Sequence, residues 1–240
     1  MSIQPVELNK AYRLLQVGPT TMISAKNDGI ENVMAAAWVG LVGNNKVMAF
    51  IGPQAFTRGL VEKSGYYVVQ IPVVKQMEMV LYAGGHSYSD TPDKNSKIPL
   101  FYQKEFDLPL VKGCAGWLVC KVIPNVENEK QHNLFMGEIV GAWSDDRVFR
   151  NGHWIFDDAP DELRTVHYVA GGQFYAIGKG TKFNYGPGKD LSLLLYKCSH
   201  ITWLHRGNSI NKKTDLICPL FALSRPNVIS PTSSPQRYQP

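Results

Sequence analysis

Three consecutive alanines lie inside a run of residues that otherwise favours a β-strand. Ala35–Ala37 stand between Asn32 and Trp38, within the segment Asn32–Gly40. Alanine is a poor strand former, and its small side chain would let a flat molecule approach the peptide groups closely. Those N–H and C=O groups could then pair with the polar edge of a heterocycle. A strand packed against a crowded core explains the pattern equally well.

A second pattern, Pro53–Leu60, predicts a junction between a strand and a helix. We predict Thr57 as the N-cap residue, with Arg58 beside it. The unpaired N–H groups and the positive dipole end of a helix favour an anion, and a hydroxyl with a guanidinium would complete a phosphate site. Because a threonine N-cap is also routine structural chemistry, the junction alone does not establish such a site.

Other candidate polar and aromatic side chains lie further along the chain. The loop Gly84–Ser87 is followed by Asp93 and Lys94, whose ammonium could bind a phosphate dianion; a solvated loop is the competing interpretation. His132 precedes a predicted strand, and Phe174 belongs to an aromatic, glycine-rich segment. Histidines and aromatic residues of this kind are equally compatible with packing in the core.

Short β-rich runs separated by turn signals dominate the first 180 residues. The predicted strands are Thr20–Ala25, Asn32–Gly40, Val47–Gly52, Tyr66–Val73, Gly116–Val126 and Asn133–Trp143, with a hairpin across Asn151–Gly152. The first three are expected to form a meander, and two helices are predicted at Thr57–Lys63 and Lys75–Ala83. Many strands with few short helices indicate a mainly β protein built on an antiparallel barrel. No Gly-x-Gly-x-x-Gly follows a strand, which argues against a dinucleotide-binding fold.

Composition and charge exclude several classes of protein. The 240 residues are 44% hydrophobic and 19% charged, as in globular proteins. The apolar stretches are shorter than the roughly 20 residues that cross a bilayer, and no secretory signal is recognisable at the N-terminus, so we expect a cytoplasmic protein without a membrane partner. Residues 1–196 contain 19 basic and 19 acidic side chains. The net charge of +5 therefore comes from the tail, and nucleic acid is not an expected partner of the body.

The distribution of charge predicts two parts of the chain: a folded domain over residues 1–196 and a basic tail of unknown role over residues 197–240. The tail is rich in proline and serine near its end. The cysteines form no Cys-x-x-Cys pair and have no histidines at metal-ligand spacing, so a metal site is not expected. We expect buried free thiols instead.

Five segments, in order and spacing, resemble the flavoredoxin and flavin reductase-like proteins over roughly residues 12–180. They are Asn32–Met34 with Trp38, Phe56–Thr57 before the helix that ends at Gly65, Gly84–Ser87 with Asp93–Lys94, Phe135–Val140, and His167–Lys179. The resemblance implies an FMN-binding split β-barrel that forms a homodimer, with FMN near the subunit interface. The residues that it implies for cofactor binding are Asn32, Met34, Trp38, Phe56, Thr57, Arg58, Ser87, Lys94, His132 and Phe174.

In this interpretation Thr57, Arg58 and Lys94 hold the phosphate, Asn32 pairs with the polar edge of the ring, and Trp38 or Phe174 covers its apolar face. The expected function is an FMN-dependent oxidoreductase that takes electrons from NADH or NADPH and passes them to an acceptor. No catalytic side chain is assigned, because the flavin carries the chemistry. The alternatives are a non-enzymatic electron carrier that serves a redox partner protein, and a barrel that has lost redox use.

Overall fold

A curled antiparallel β-sheet forms the centre of the structure, a computed structural model that describes residues 19–181. The strands are β1 (Thr21–Asn27), β2 (Ile30–Ala36), β3 (Val39–Leu41), β4 (Lys46–Phe50), β5 (Tyr66–Ile71), β6 (Leu100–Gln103), β7 (Phe106–Val111), β8 (Gly116–Ile123), β9 (Leu134–Ser144), β10 (Phe149–Arg150), β11 (His153–Trp154), β12 (Val166–Ala170) and β13 (Gln173–Ala176). The helices are α1 (Phe56–Ser64), α2 (Met77–Gly85) and α3 (Val126–Gln131). Short 3-10 helices lie at Val74–Gln76, Lys94–Lys97, Phe156–Asp158 and Asp161–Leu163.

The main sheet has seven strands in the order β2-β1-β5-β8-β9-β4-β3. Strands β2 and β3 lie at opposite edges of this sheet, although only Ala37 and Trp38 separate them in the chain. Three residue steps span at most about 11 Å, so the two edges must approach each other and the sheet must curl. This arrangement confirms the predicted split barrel. The predicted strand Asn32–Gly40 is divided into β2 and β3. Its first part pairs with β1 and its second part with β4, as the predicted meander requires, but the two parts lie at opposite edges of the sheet.

The inner face of the curl carries a core of alternating strand residues, as the period of two in a strand requires. Helix α1 packs on this face through Leu60 and Val61. It ends at Gly65, whose φ of 70° is the left-handed conformation that favours glycine. The strand residues of this inner core include Ile23, Val47, Ala49, Tyr67, Val69, Cys120 and Phe135.

The outer face of β1, β2, β5 and β8 carries a second core. Helix α2 and the β6–β7 hairpin cover it, and the buried residues include Met22, Val33, Val68, Val80, Ala83, Leu108, Leu110, Trp117 and Val119. The edge strand β2 thus lies between α1 on one face and α2 on the other. This placement decides which side chains can reach its free edge.

The predicted helices are present with shifted ends. The N-cap of α1 is Ala55, so the prediction that Thr57 caps this helix was wrong; Thr57 is the second residue of the helix. Helix α2 begins at Met77, because Val74–Gln76 form a 3-10 turn before it. The β6–β7 and β12–β13 hairpins were not predicted as strands. The proposed tail, residues 197–240, lies outside the described residues.

Candidate functional site

The free edge of β2 is the feature on which the candidate site is built. Among residues 19–181, β2 pairs with β1 on one side and with no strand on the other. Alternate peptide groups of an edge strand point away from the sheet and remain available to a ligand. The alanines at the end of this strand therefore stand where the sequence pattern required free peptide groups.

A cleft of about 340 Å³ opens beside these alanines. Ala35–Ala37 line one side, Gly84 and Gly85 of α2 line another, and Phe174 of β13 closes a third. A Cβ atom placed on Gly84 would lie 3.1 Å from the Cβ of Ala35. Gly84 and Ala35 therefore let α2 pack closely on β2, and a larger side chain at either position would push the helix away and change the shape of the cleft.

Asn32 and Thr57 form a buried polar pair below the edge. The Nδ2 atom of Asn32 donates to Oγ1 of Thr57 at 2.8 Å, and the two residues are 2% and 0% exposed. The Oδ1 atom of Asn32 is also buried, but it has no partner within the described structure. A buried acceptor without a donor costs about 1–3 kcal/mol. A ligand that donates a hydrogen bond would remove that cost.

Arg58 points into a different set of contacts from the one predicted for it. Its Nε atom donates to Glu62, Nη1 donates to Oδ1 of Asn133 at 2.5 Å, and Nη2 donates to the carbonyl of Glu129 at 2.8 Å. The guanidinium also lies over the ring of Phe135. These contacts tie α1 to the connection between α3 and β9. In the described structure Arg58 therefore positions α1, and its role in holding phosphate stays a prediction.

Lys94 is almost fully buried and binds the end of α2. Its Nζ atom donates to the carbonyl oxygens of Ala83 at 3.0 Å and His86 at 2.6 Å, and its residue is 1% exposed. Burial lowers the pKa of this ammonium, while a positive charge at the C-terminal end of a helix is favourable. Its role in holding phosphate stays a prediction. A Lys94 variant would disturb α2 directly, so it is a poor test of ligand binding.

No helix among residues 19–181 is long and apolar enough to cross a membrane. Within the same residues, no group of three or more histidine, cysteine, aspartate or glutamate side chains could hold a metal ion.

A family model described as the flavin reductase like domain matches residues 16–158, more than half of the chain. The chain belongs to the flavin reductase-like family. The solved FMN-binding domain of a flavin reductases-like enzyme from Shewanella baltica is 45% identical, has a TM-score of 0.68, and is matched over 96% of its length and 75% of this chain. An uncharacterized Escherichia coli protein, YddH, is 35% identical over 181 residues, which cover 95% of its length and 73% of this chain.

Solved flavoredoxins show the same fold at lower identity. The flavoredoxin from Methanosarcina acetivorans has a TM-score of 0.62 at 20% identity, and the match covers 100% of that protein and 80% of this chain. The Shewanella baltica relative is described as an FMN-binding domain, and this similarity supports flavin binding. The family membership and the split-barrel fold both confirm what the resemblance implied.

The other residues that the resemblance implies for cofactor binding do not all lie at the cleft beside the alanines. Phe174 lines it, with its ring 5.2 Å from that of Tyr168. Met34 packs on the inner core. Trp38 is 50% exposed and contacts Phe50 edge-on rather than lining the cleft.

Phe56, Ser87 and His132 have other surroundings. The ring of Phe56 stacks on Tyr88 at 4.4 Å. The Oγ atom of Ser87 accepts from the backbone of Ser89, within the turn that follows α2. His132 is exposed at the end of α3. Arg58 of α1 donates to Glu129, three residues before it, and to Asn133, the next residue.

Tyr88 and Tyr168 were missed by sequence reasoning. Tyr168 lies in the aromatic, glycine-rich segment of Phe174 and pairs with Phe174 in the β12–β13 hairpin, so that segment was the signal for it. Tyr88 lies in a loop, and its ring partner Phe56 is 32 residues away, so no local pattern identifies it.

Proposed function

We propose that this flavin reductase-like protein binds FMN along the free edge of β2 and acts as an oxidoreductase between NADH or NADPH and an acceptor. The observation that carries the proposal is the unpartnered Oδ1 of buried Asn32, beside Thr57 in the first turn of α1. FMN offers ribityl hydroxyls and a ring N–H as donors, and a phosphate that suits the N–H groups of a helix start. The polar groups present therefore fit this cofactor.

In this proposal the cleft and the polar pair have separate tasks. The cleft beside the alanines would receive the flat ring, and Phe174 would cover an apolar face. Asn32 and Thr57, which do not line the cleft, would receive the polar part of the cofactor. FMN, when bound, would supply the redox chemistry by accepting a hydride from the nicotinamide and passing two electrons to the acceptor. The protein binds and orients the cofactor, so no side chain is proposed as an acid, base or nucleophile. FMN would both accept and donate the electrons, so the final acceptor can be a partner protein as well as a small molecule.

The first experiment is the visible absorption spectrum of the purified, FMN-loaded protein, before and after anaerobic addition of NADH and then of NADPH. A bound-flavin spectrum that bleaches within seconds with one donor is the expected result, and the faster donor gives the preference. A flavin band that resists both donors would replace the reductase by the electron carrier that serves a partner protein. Failure of the folded protein to bind added FMN would contradict the proposal.

The proposed location is the cytoplasm, where both nicotinamides are available. Cys114 and Cys120 are buried free thiols within residues 19–181. Burial raises the pKa of each thiol to about 12, so neither is an activated nucleophile.

We further propose a homodimer, and exposed apolar side chains on neighbouring strands support it. Met48 of β4 is 39% exposed on the face away from the inner core, and Val140 of β9 is 41% exposed. Met48→Glu would place a charge on this surface and should convert a dimer into a monomer in sedimentation velocity. Val126→Glu makes the same change at an exposed apolar residue of α3 and should leave the dimer intact. A wild-type protein that sediments as a monomer would contradict the proposal.

A further inference from the structure

Phe56 and Tyr88 form a stacked aromatic pair beside the candidate site. Their ring centroids are 4.4 Å apart and their planes are inclined by 25°. Carbon atoms pack at about 3.5–4.0 Å, so no third flat group fits between the rings. The hydroxyl of Tyr88 forms no hydrogen bond with the rest of the described chain. Tyr88 is half-buried, and its stacking on Phe56 is the specific contact found for its side chain within residues 19–181.

The two rings come from opposite faces of the sheet. Phe56 is the first residue of α1, which packs on the inner face, whereas Tyr88 follows α2, which packs on the outer face. On one side of β2 the sheet continues through β1 and β5. On the other side, the segment that follows the Tyr88 loop reaches β2, because Nδ2 of Asn95 donates to the carbonyl of Glu31 at 2.6 Å. We infer that the rings meet around this free edge. The Phe56–Tyr88 pair, called the clasp below, thus bridges the edge along which we propose that FMN binds.

The loop that carries Tyr88 is fixed at its base and lightly held at its tip. Lys94 donates to the carbonyls of Ala83 and His86 and so joins the two ends of the loop. Between these ends, the backbone N–H groups of Asp90 and Thr91 donate to the carbonyl of Ser87 and form a tight turn. Tyr88 lies in this turn, and its contact across the edge is with a single ring. Such a loop can open at its tip while its base stays in place.

We propose that the clasp is a gate that slows both entry and release of FMN. This inference rests on the proposed function, since it assumes that the elongated cofactor lies along the edge of β2. With the ring in the alanine cleft and the polar end near Thr57, the cofactor passes the first residue of α1, which is Phe56. The clasp closes this passage, and opening of the Tyr88 turn is then required in both directions.

A gate of this kind has a kinetic signature that a simple contact lacks. If the clasp is closed both with and without FMN, removing it accelerates association and dissociation by the same factor and leaves the Kd unchanged. A residue that only contacts the bound cofactor would change the dissociation rate and the Kd together. The two roles are therefore distinguished by measuring both rate constants.

The experiment is stopped-flow FMN fluorescence with wild type, Tyr88→Ala and Tyr88→Phe, with thermal melts to check folding. We expect Tyr88→Ala to raise both rate constants about tenfold, equivalent to about 1.4 kcal/mol in the barrier, with the Kd unchanged within a factor of about three. Tyr88→Phe keeps the stacked ring and should retain wild-type rates, since the hydroxyl has no hydrogen bond within the described chain.

Unchanged rates in a folded Tyr88→Ala variant would overturn the gate while leaving FMN binding intact. A faster dissociation without faster association would also overturn it and make Tyr88 an ordinary contact residue. A folded wild type that does not bind FMN would overturn the proposed function together with the gate, so the two failures are distinguishable.

Discussion

Replacing Gly137 with alanine is expected to lower the free energy of unfolding by roughly 3 kcal/mol, at the upper end of the cost of overpacking a core. A Cβ atom at Gly137 would lie 2.6 Å from Oη of Tyr67 and 2.9 Å from Cβ of Cys120. Neither neighbour can move freely, because the Tyr67 hydroxyl donates to the carbonyl of Val47 and both residues are fully buried. Urea denaturation of the purified variant measures the change.

A matched control and a second variant test this explanation. Gly59 lies inside α1, and a Cβ atom added there would meet no atom within 4 Å, so Gly59→Ala should be neutral or stabilise by up to about 1 kcal/mol. Adding Tyr67→Phe to Gly137→Ala removes the nearest atom, and the two changes should cost less together than the sum of their separate effects. A Gly137→Ala protein as stable as wild type would contradict the packing around Tyr67.

Removing the polar pair at Asn32 and Thr57 is expected to weaken FMN binding strongly. Asn32→Leu and Thr57→Val should each weaken binding by about 1–3 kcal/mol, which is roughly a 5- to 150-fold rise in the Kd. Asn32→Leu removes an acceptor atom that is buried without a partner in the described structure. Thr57→Val removes the hydroxyl that accepts a hydrogen bond from Asn32. Titration of FMN fluorescence measures both affinities, and thermal melts check that the barrel remains folded.

Thr57→Ser is the control, since it keeps the hydroxyl in the first turn of α1 and should retain most of the affinity. The double variant Asn32→Leu with Thr57→Val should lose less than the sum of the single losses, because the two side chains form one hydrogen-bonded unit. Wild-type affinity in both single variants would exclude this pair from the cofactor site.

Local patterns predicted most of the sheet because they depend on neighbouring residues. Alternation and turn residues located β1, β4, β5, β8 and β9, and Gly65 located the end of α1. The β6–β7 hairpin was missed because its residues include Pro109, which is unusual inside a strand. The division of the predicted strand Asn32–Gly40 into β2 and β3 was missed, since its continuous β-rich pattern does not mark where the chain crosses to the far edge of the sheet.

The site shows the same division between local and long-range information. The alanine pattern predicted a strand that a flat ligand can approach, and β2 is indeed an edge strand with a cleft beside it. The role of Arg58 could not be predicted, because its partners Glu129 and Asn133 lie about 70 residues away and meet it only after folding. The sequence likewise contains no sign that Phe56 and Tyr88 stack across the edge.

The unpaired edge of β2 also has a consequence for how the protein behaves in concentrated solution. An exposed strand edge can recruit the strands of other molecules and so begin aggregation. Here β2 has seven residues, and in our proposal the Phe56–Tyr88 pair bridges part of its edge, which protects it from such pairing. A cofactor lying along the rest of the edge would cover the remaining peptide groups. The fraction of molecules that carry FMN would then also determine how strongly the protein resists aggregation.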